Sequence, residues 1–156
     1  MAENALVEAN IADNTNGLVW AYTTLVCLRL DRVAEADHAF QLALRLGIDR
    51  RGVLVELAQA YHALEKHDNA EPVLRRALAM QEDMSLREML ASTCKALGDH
   101  EGAAEENIVL LGLVSGDDAK VPLLKEIVKL LKESGDTSRE KDMKKYQKQY
   151  KTITGK

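Results

Sequence analysis

Apolar residues recur at helical spacing between Trp20 and Gly47, in two runs broken by a polar corner. The first run carries Trp20, Thr23, Cys27 and Leu30, the second Ala36, Phe40, Ala43 and Leu44, and Leu28-Arg29-Leu30-Asp31-Arg32 forms the corner. The pattern predicts two short helices folded against each other. Neither has enough apolar surface to stand alone, because an isolated helix of roughly 12–15 residues is marginal in water. The pair therefore needs neighbours.

The neighbours are written into the chain as a repeat. Ala70 follows Ala36 by 34 residues and Ala103 follows Ala70 by 33. Ahead of each alanine stands a similar frame: Leu30-Asp-Arg-Val, Leu64-Glu-Lys-His and Leu97-Gly-Asp-His. Behind each lies Phe40 with Ala43, Leu74 with Ala77, and more weakly Asn107 with Leu110. Upstream, Thr23, Thr24 and Cys27 share their spacing with Leu57, Ala58 and Tyr61, and with Leu90, Ala91 and Cys94. The physical reason is steric. Small residues let two helix backbones approach closely, while Trp20, Phe40 and Tyr61 fill the space between successive pairs.

The remaining elements follow from the same period. Ala2, Leu6 and Ala9 have the spacing of Ala36, Phe40 and Ala43, so residues 1–14 read as the second helix of an incomplete repeat with an open apolar face. That face fits either a fragment of a longer repeat protein or a subunit that self-associates or docks through its N-terminal helix. Repeats are expected over 17–47, 50–81 and 84–115, with Pro72 in the opening turn of its helix. A divergent repeat covers 119–151. Its first helix, Val121–Glu133, shows the stripe Leu124, Ile127, Val128 and Leu131, with Pro122 in its opening turn. Its second, Ser138–Lys151, keeps only Met143, Tyr146 and Tyr150, as a solvating cap would. Residues 152–156 are expected to be a flexible tail. The whole of 1–151 reads as a single all-α domain.

Composition sharpens this picture. The chain is 46% apolar and only 4% aromatic, with two prolines, which suits packed helices rather than sheet. No run of eighteen or more apolar residues exists to span a membrane, and MAENALVEAN lacks the apolar core of a secretory signal. Cys27 and Cys94 occupy equivalent slots and read as buried thiols in a reducing, cytoplasmic setting. Residues 1–119 hold 10 Lys and Arg against 20 Asp and Glu, net −10; residues 120–156 hold 11 against 5, net +6. The basic end reads first as a solvated helix. It carries no nucleic-acid-binding motif, so nucleic acid is not expected as a partner.

Chemistry is absent from the pattern. His38, His62, His67 and His100 lack partners at metal-ligand spacing. Glu105-Glu106 and Asp117-Asp118 are adjacent residues that point apart on a helix or lie in a turn, unsuited to paired acid and base work. No phosphate-cradling glycine loop or nucleophile elbow occurs. An enzyme is not expected, nor any cofactor or metal.

A period of about 34, carrying a large residue, a small one, an aromatic or Cys, then Ala-x3-aromatic, resembles the tetratricopeptide repeat family. The resemblance implies a right-handed superhelix of antiparallel helix pairs and a non-catalytic scaffold. Such a scaffold holds an extended or helical peptide of a protein partner on its concave wall, built by the first helix of each pair. His67 and His100 fall where the family usually has an aromatic ring, which implies packing at the core edge. The implied wall residues are Ala21, Tyr22, Leu25 and Arg29, then Val55, Glu56, Gln59 and His62. Glu88, Ser92 and Lys95 follow, and then Lys125 and Lys129. Members that clamp a C-terminal carboxylate carry Lys and Asn in the earlier wall slots. Ala21, Leu25, Val55 and Glu56 stand there instead, and Glu56 and Glu88 would repel a carboxylate, so that specificity is not carried over. The stretch ENALVEANIADNTNGLVWAY also resembles the tetratricopeptide region of cilia- and flagella-associated axonemal proteins. This second resemblance implies a structural part of a ciliary axoneme held in a permanent assembly. A regulatory domain attached to a catalytic region elsewhere is a third reading.

Overall fold

The computed structural model describes residues 15–156, and helix follows helix through them without an intervening strand. The helix expected over residues 1–14 lies outside the described residues. The helices are α1 (Gly17–Arg29), α2 (Val33–Leu46), α3 (Arg51–Ala63), α4 (His67–Met80), α5 (Met84–Ala96), α6 (His100–Leu113) and α7 (Asp117–Ser134). A 3-10 turn, Thr137–Arg139, leads into α8 (Glu140–Thr154).

The corner inside each pair is built the same way three times. Asp31, Glu65 and Gly98 take left-handed backbone angles, φ 58, 55 and 76°. The next amide reaches back over the turn in every case: Arg32 N–H donates to the Cys27 carbonyl, Lys66 to Tyr61 and Asp99 to Cys94, each at 2.9 Å. This closure satisfies carbonyls that the helix end would otherwise leave open. Its recurrence at the sequence period shows that the repeat is structural.

Contacts group the chain into two compact units, Met1–Met80 and Gln81–Lys156. Helix pairs in a repeat chain are held by their immediate neighbours, which lets each group of pairs keep its own core.

In the first unit α1 packs on α2, α3 on α4, and α1 along α3. Ala36, Ala43, Ala58 and Ala70 are fully buried, as the small-residue slots require. Phe40 and Tyr61 fill the space beside them, ring centroids 4.8 Å apart and tilted by 54°. Burial pushes the Tyr61 hydroxyl well above the usual phenol range. The stripe expected on α1 is displaced. Leu30 is 46% exposed because it lies in the corner beyond the helix, and Trp20 is half-buried. Ala21, Thr24 and Leu25 are buried instead, since α1 is covered by α2 on one side and α3 on the other. Thr24 Oγ1 donates to the Trp20 carbonyl at 2.9 Å, which satisfies its hydroxyl inside the core.

In the second unit α6 packs against α5 and α7, and α8 against α7. Ala103, Ala104, Cys94 and Ile127 are fully buried. Arg87 stands in the slot that Trp20 and Leu54 hold in the preceding repeats. Its guanidinium binds Glu106 and Glu82, with Nε 2.7 Å from Glu82. These hydrogen bonds hold the Arg87 guanidinium above its ordinary range and the Glu82 carboxyl below its own.

Several boundaries differ from expectation. α4 begins at His67 and α7 at Asp117, so Pro72 and Pro122 sit in the second turn rather than the first. Asp117 and Asp118 favour the earlier start, because carboxylates suit the positive end of a helix. The expected tail is shorter, for α8 continues to Thr154 and ends at the left-handed Gly155. Thr152 and Thr154 stay helical with hydroxyls donated to the carbonyls four residues back.

Candidate partner-binding groove

Two first helices lie side by side in the first unit, and a groove of about 350 Å³ opens between them. Ala21 and Ala58 are fully buried in α1 and α3, which pack along each other, and longer side chains of the two helices flank a shallow trough. Leu25, 5% exposed, and Leu28 form the floor with Ala60 and Leu64. Arg29, Glu56 and Gln59 form the polar rim. Arg29 Nη2 and Glu56 Oε2 are 3.7 Å apart, both well exposed. A pair so long and so wet adds little stability, which leaves both groups able to engage a ligand.

Tyr22 lies one turn toward the start of α1, where its hydroxyl accepts from Arg50 Nη1 at 3.3 Å. Ala21, implied as a wall residue, is completely buried and belongs to the α1 packing surface. His62 does not line the trough, and its ring meets His67 edge-on with centroids 5.7 Å apart. The groove thus gathers Leu25, Arg29, Glu56 and Gln59 of the residues named from sequence. It adds Leu28, Ala60 and Leu64, which no spacing argument singled out. Leu64 was visible only as part of the corner frame, and its 48% exposure depends on which way the corner turns.

In the second unit Glu88, Lys95, Lys125 and Lys129 are exposed. Lys95 Nζ meets Glu126 at 2.6 Å, an interaction that raises its pKa. Lys129 lies 3.9 Å from Glu133, and His100 Nδ1 is 3.6 Å from the same residue. Of the basic residues expected in the wall, Lys95 is therefore neutralised by α7, whose Glu126 carries no spacing signal toward α5, while Lys129 is only loosely paired. Lys125 has no carboxylate partner among the described residues.

Cys27 and Cys94 are buried and form no disulfide among the described residues. Among the same residues no group of three or more His, Cys, Asp or Glu is arranged to hold a metal ion. No helix there is long and apolar enough to cross a membrane.

Paired helices with a recurrent left-handed corner, alanines in the seam and a trough along the first helices define a tetratricopeptide-type repeat protein. Solved structures agree on the fold. MamA AMB-1 matches with a TM-score of 0.59 and 18% identity, over 93% of this chain and 78% of that one. YrrB, a TPR protein with an unusual peptide-binding site, matches with a TM-score of 0.59 and 17% identity, over 99% and 77%. The family is narrower than the fold. The model of the cilia and flagella-associated protein 70 C-terminal domain matches residues 1–120, and the chain belongs to that family. Cilia- and flagella-associated protein 70 of Macaca fascicularis is 43% identical over 56 residues, which is 36% of this chain and 6% of that protein. The chain thus corresponds to a small part of the relative's length.

Proposed function

We propose that this chain is a non-catalytic interaction module of a ciliary or flagellar protein, and that it holds a peptide or helix of a partner protein in the groove between α1 and α3. One observation carries the reading: an apolar trough, floored by Leu25 and Leu28, is bordered by Arg29 and Glu56, which are exposed and only loosely paired. An apolar side chain entering the trough leaves water, while the flanking charges and Gln59 select the polar groups beside it. Membership of the ciliary family supports the location.

The test is a pull-down from ciliary extract with the intact chain and with the Arg29→Glu and Glu56→Lys variants. A partner retained by the natural sequence and lost by both variants supports the groove. Equal retention by all three removes the groove from the mechanism. A second reading, a structural piece of a larger axonemal protein in a permanent assembly, is suggested by the match to the C-terminal domain of a cilia and flagella-associated protein. Under that reading the partner resists extraction by salt and is retained equally by both groove variants.

A further inference from the structure

A larger groove, about 550 Å³, opens in the second unit between α6, the start of α7 and α8. Its floor is apolar, made by Ile108 and Leu111 of α6, Leu124 of α7, and Tyr146 and Ile153 of α8. Leu124 is 1% exposed and Tyr146 7%, so the floor is held by the core and does not depend on an occupant for its shape.

The rim is cationic. Lys120, Lys145 and Lys148 border the opening. None of the three meets a carboxylate among the described residues, whereas Lys95 and Lys144 are held by Glu126 and Glu140. Lys145 Nζ lies 5.3 Å from the centroid of the Tyr146 ring, which keeps this charge close to the apolar floor. The three lysines belong to the segment 120–156, whose net charge is +6. Like charges around an apolar depression repel one another, and an anionic occupant relieves that repulsion while covering the floor. The nine residues from Lys145 to Ile153 rise about 12 Å along α8, which matches about two turns of a second helix.

We propose that this groove docks an acidic amphipathic segment of a protein partner. Apolar side chains at i, i+3, i+4 and i+7 enter between α6 and α8, and carboxylates on either side meet Lys120, Lys145 and Lys148. Nucleic acid fits less well, because base stacking needs an exposed ring and Tyr146 is buried. The site lies wholly in the second unit and is separate from the trough between α1 and α3.

The test uses the full chain and a fluorescein-labelled synthetic peptide with leucines at that spacing and glutamates elsewhere, read by fluorescence anisotropy. Binding weakens about tenfold in Lys145→Glu/Lys148→Glu and also weakens as salt rises. It is unchanged in Glu56→Lys, which alters the other groove. Lys120→Gln, a milder change, weakens it less, and circular dichroism of each variant verifies that the helices remain. Four outcomes overturn the proposal. They are undiminished binding by the double variant, equal binding of a polyglutamate lacking leucines, equal binding to phosphatidylserine vesicles, and self-association of the chain abolished by the same double variant.

Discussion

At the scale of single residues, the backbone decides more than the side chains. Glu65 holds the left-handed conformation at φ 55° that Gly98 takes at the equivalent corner without a side chain to oppose it. A left-handed residue with a Cβ costs about 1–2 kcal/mol, partly offset by the greater freedom glycine has when unfolded. Glu65→Gly is therefore expected to stabilise the first unit by about 0.5–1 kcal/mol, seen as a higher urea midpoint. A lower midpoint would mean that the side chain contributes more than its conformation costs. Gly17 makes the opposite case. A Cβ there would come within 1.9 Å of the Gly47 carbonyl oxygen, a backbone atom that cannot swing aside. Gly17→Ala is expected to destabilise by about 1–3 kcal/mol in thermal or urea unfolding, the range of overpacked cores. Nothing in the sequence pattern links the two glycines. Their contact joins the start of α1 to the end of α2 and depends on how that pair closes.

At the scale of elements, the third repeat replaces an apolar contact by a charged one. Arg87 and Glu106 have side chains 15% and 9% exposed, and Glu82 completes the group at 42%. Arg87→Ala removes the cation from a mostly buried carboxylate and is expected to cost about 2 kcal/mol, with Arg87→Met/Glu106→Leu recovering most of it. Failure of the double variant to recover would mean that the pair contributes more than its desolvation costs. The same group gives a pH dependence. Arg87 holds the folded Glu82 carboxyl below the 4.5 of an ordinary glutamate, so the unfolded chain binds more protons as pH falls through that region. Its stabilisation is complete above about pH 5 and is lost in acid. Glu82→Gln is thus expected to lower the urea midpoint at pH 7, with the gap from the natural sequence closing toward pH 3. A gap that stays constant would place the effect outside the ionisation. The repeat frame read from sequence did not single out Arg87, and its two acids lie 5 and 19 residues away. No helical spacing links all three.

At the scale of the whole molecule, charge and capping are joined in α8. Residues 136–156 carry seven basic and three acidic side chains, so a chain ending at Gly135 would change from net −4 to −8. It would also uncover Leu124 and Leu131, now 1% and 3% exposed. Such a truncation is expected to bind the dye ANS and to self-associate even though its larger net charge favours solubility. A monomeric product without dye binding would show that α8 is not the cap its narrow stripe suggests. The sequence by itself determined the helical class, the beat of about 34 residues and the fully buried Ala36, Ala70 and Ala103, because small side chains at a fixed interval are a one-dimensional signal of close helix packing. The floor of the first groove, the neutralising of Lys95 by Glu126, the approach of Gly17 to Gly47 and the lysine-rimmed groove on α8 were decided only by the tertiary structure. Each depends on the rotation of one helix against another, and that rotation is set by the sum of many contacts rather than by the spacing of any few residues.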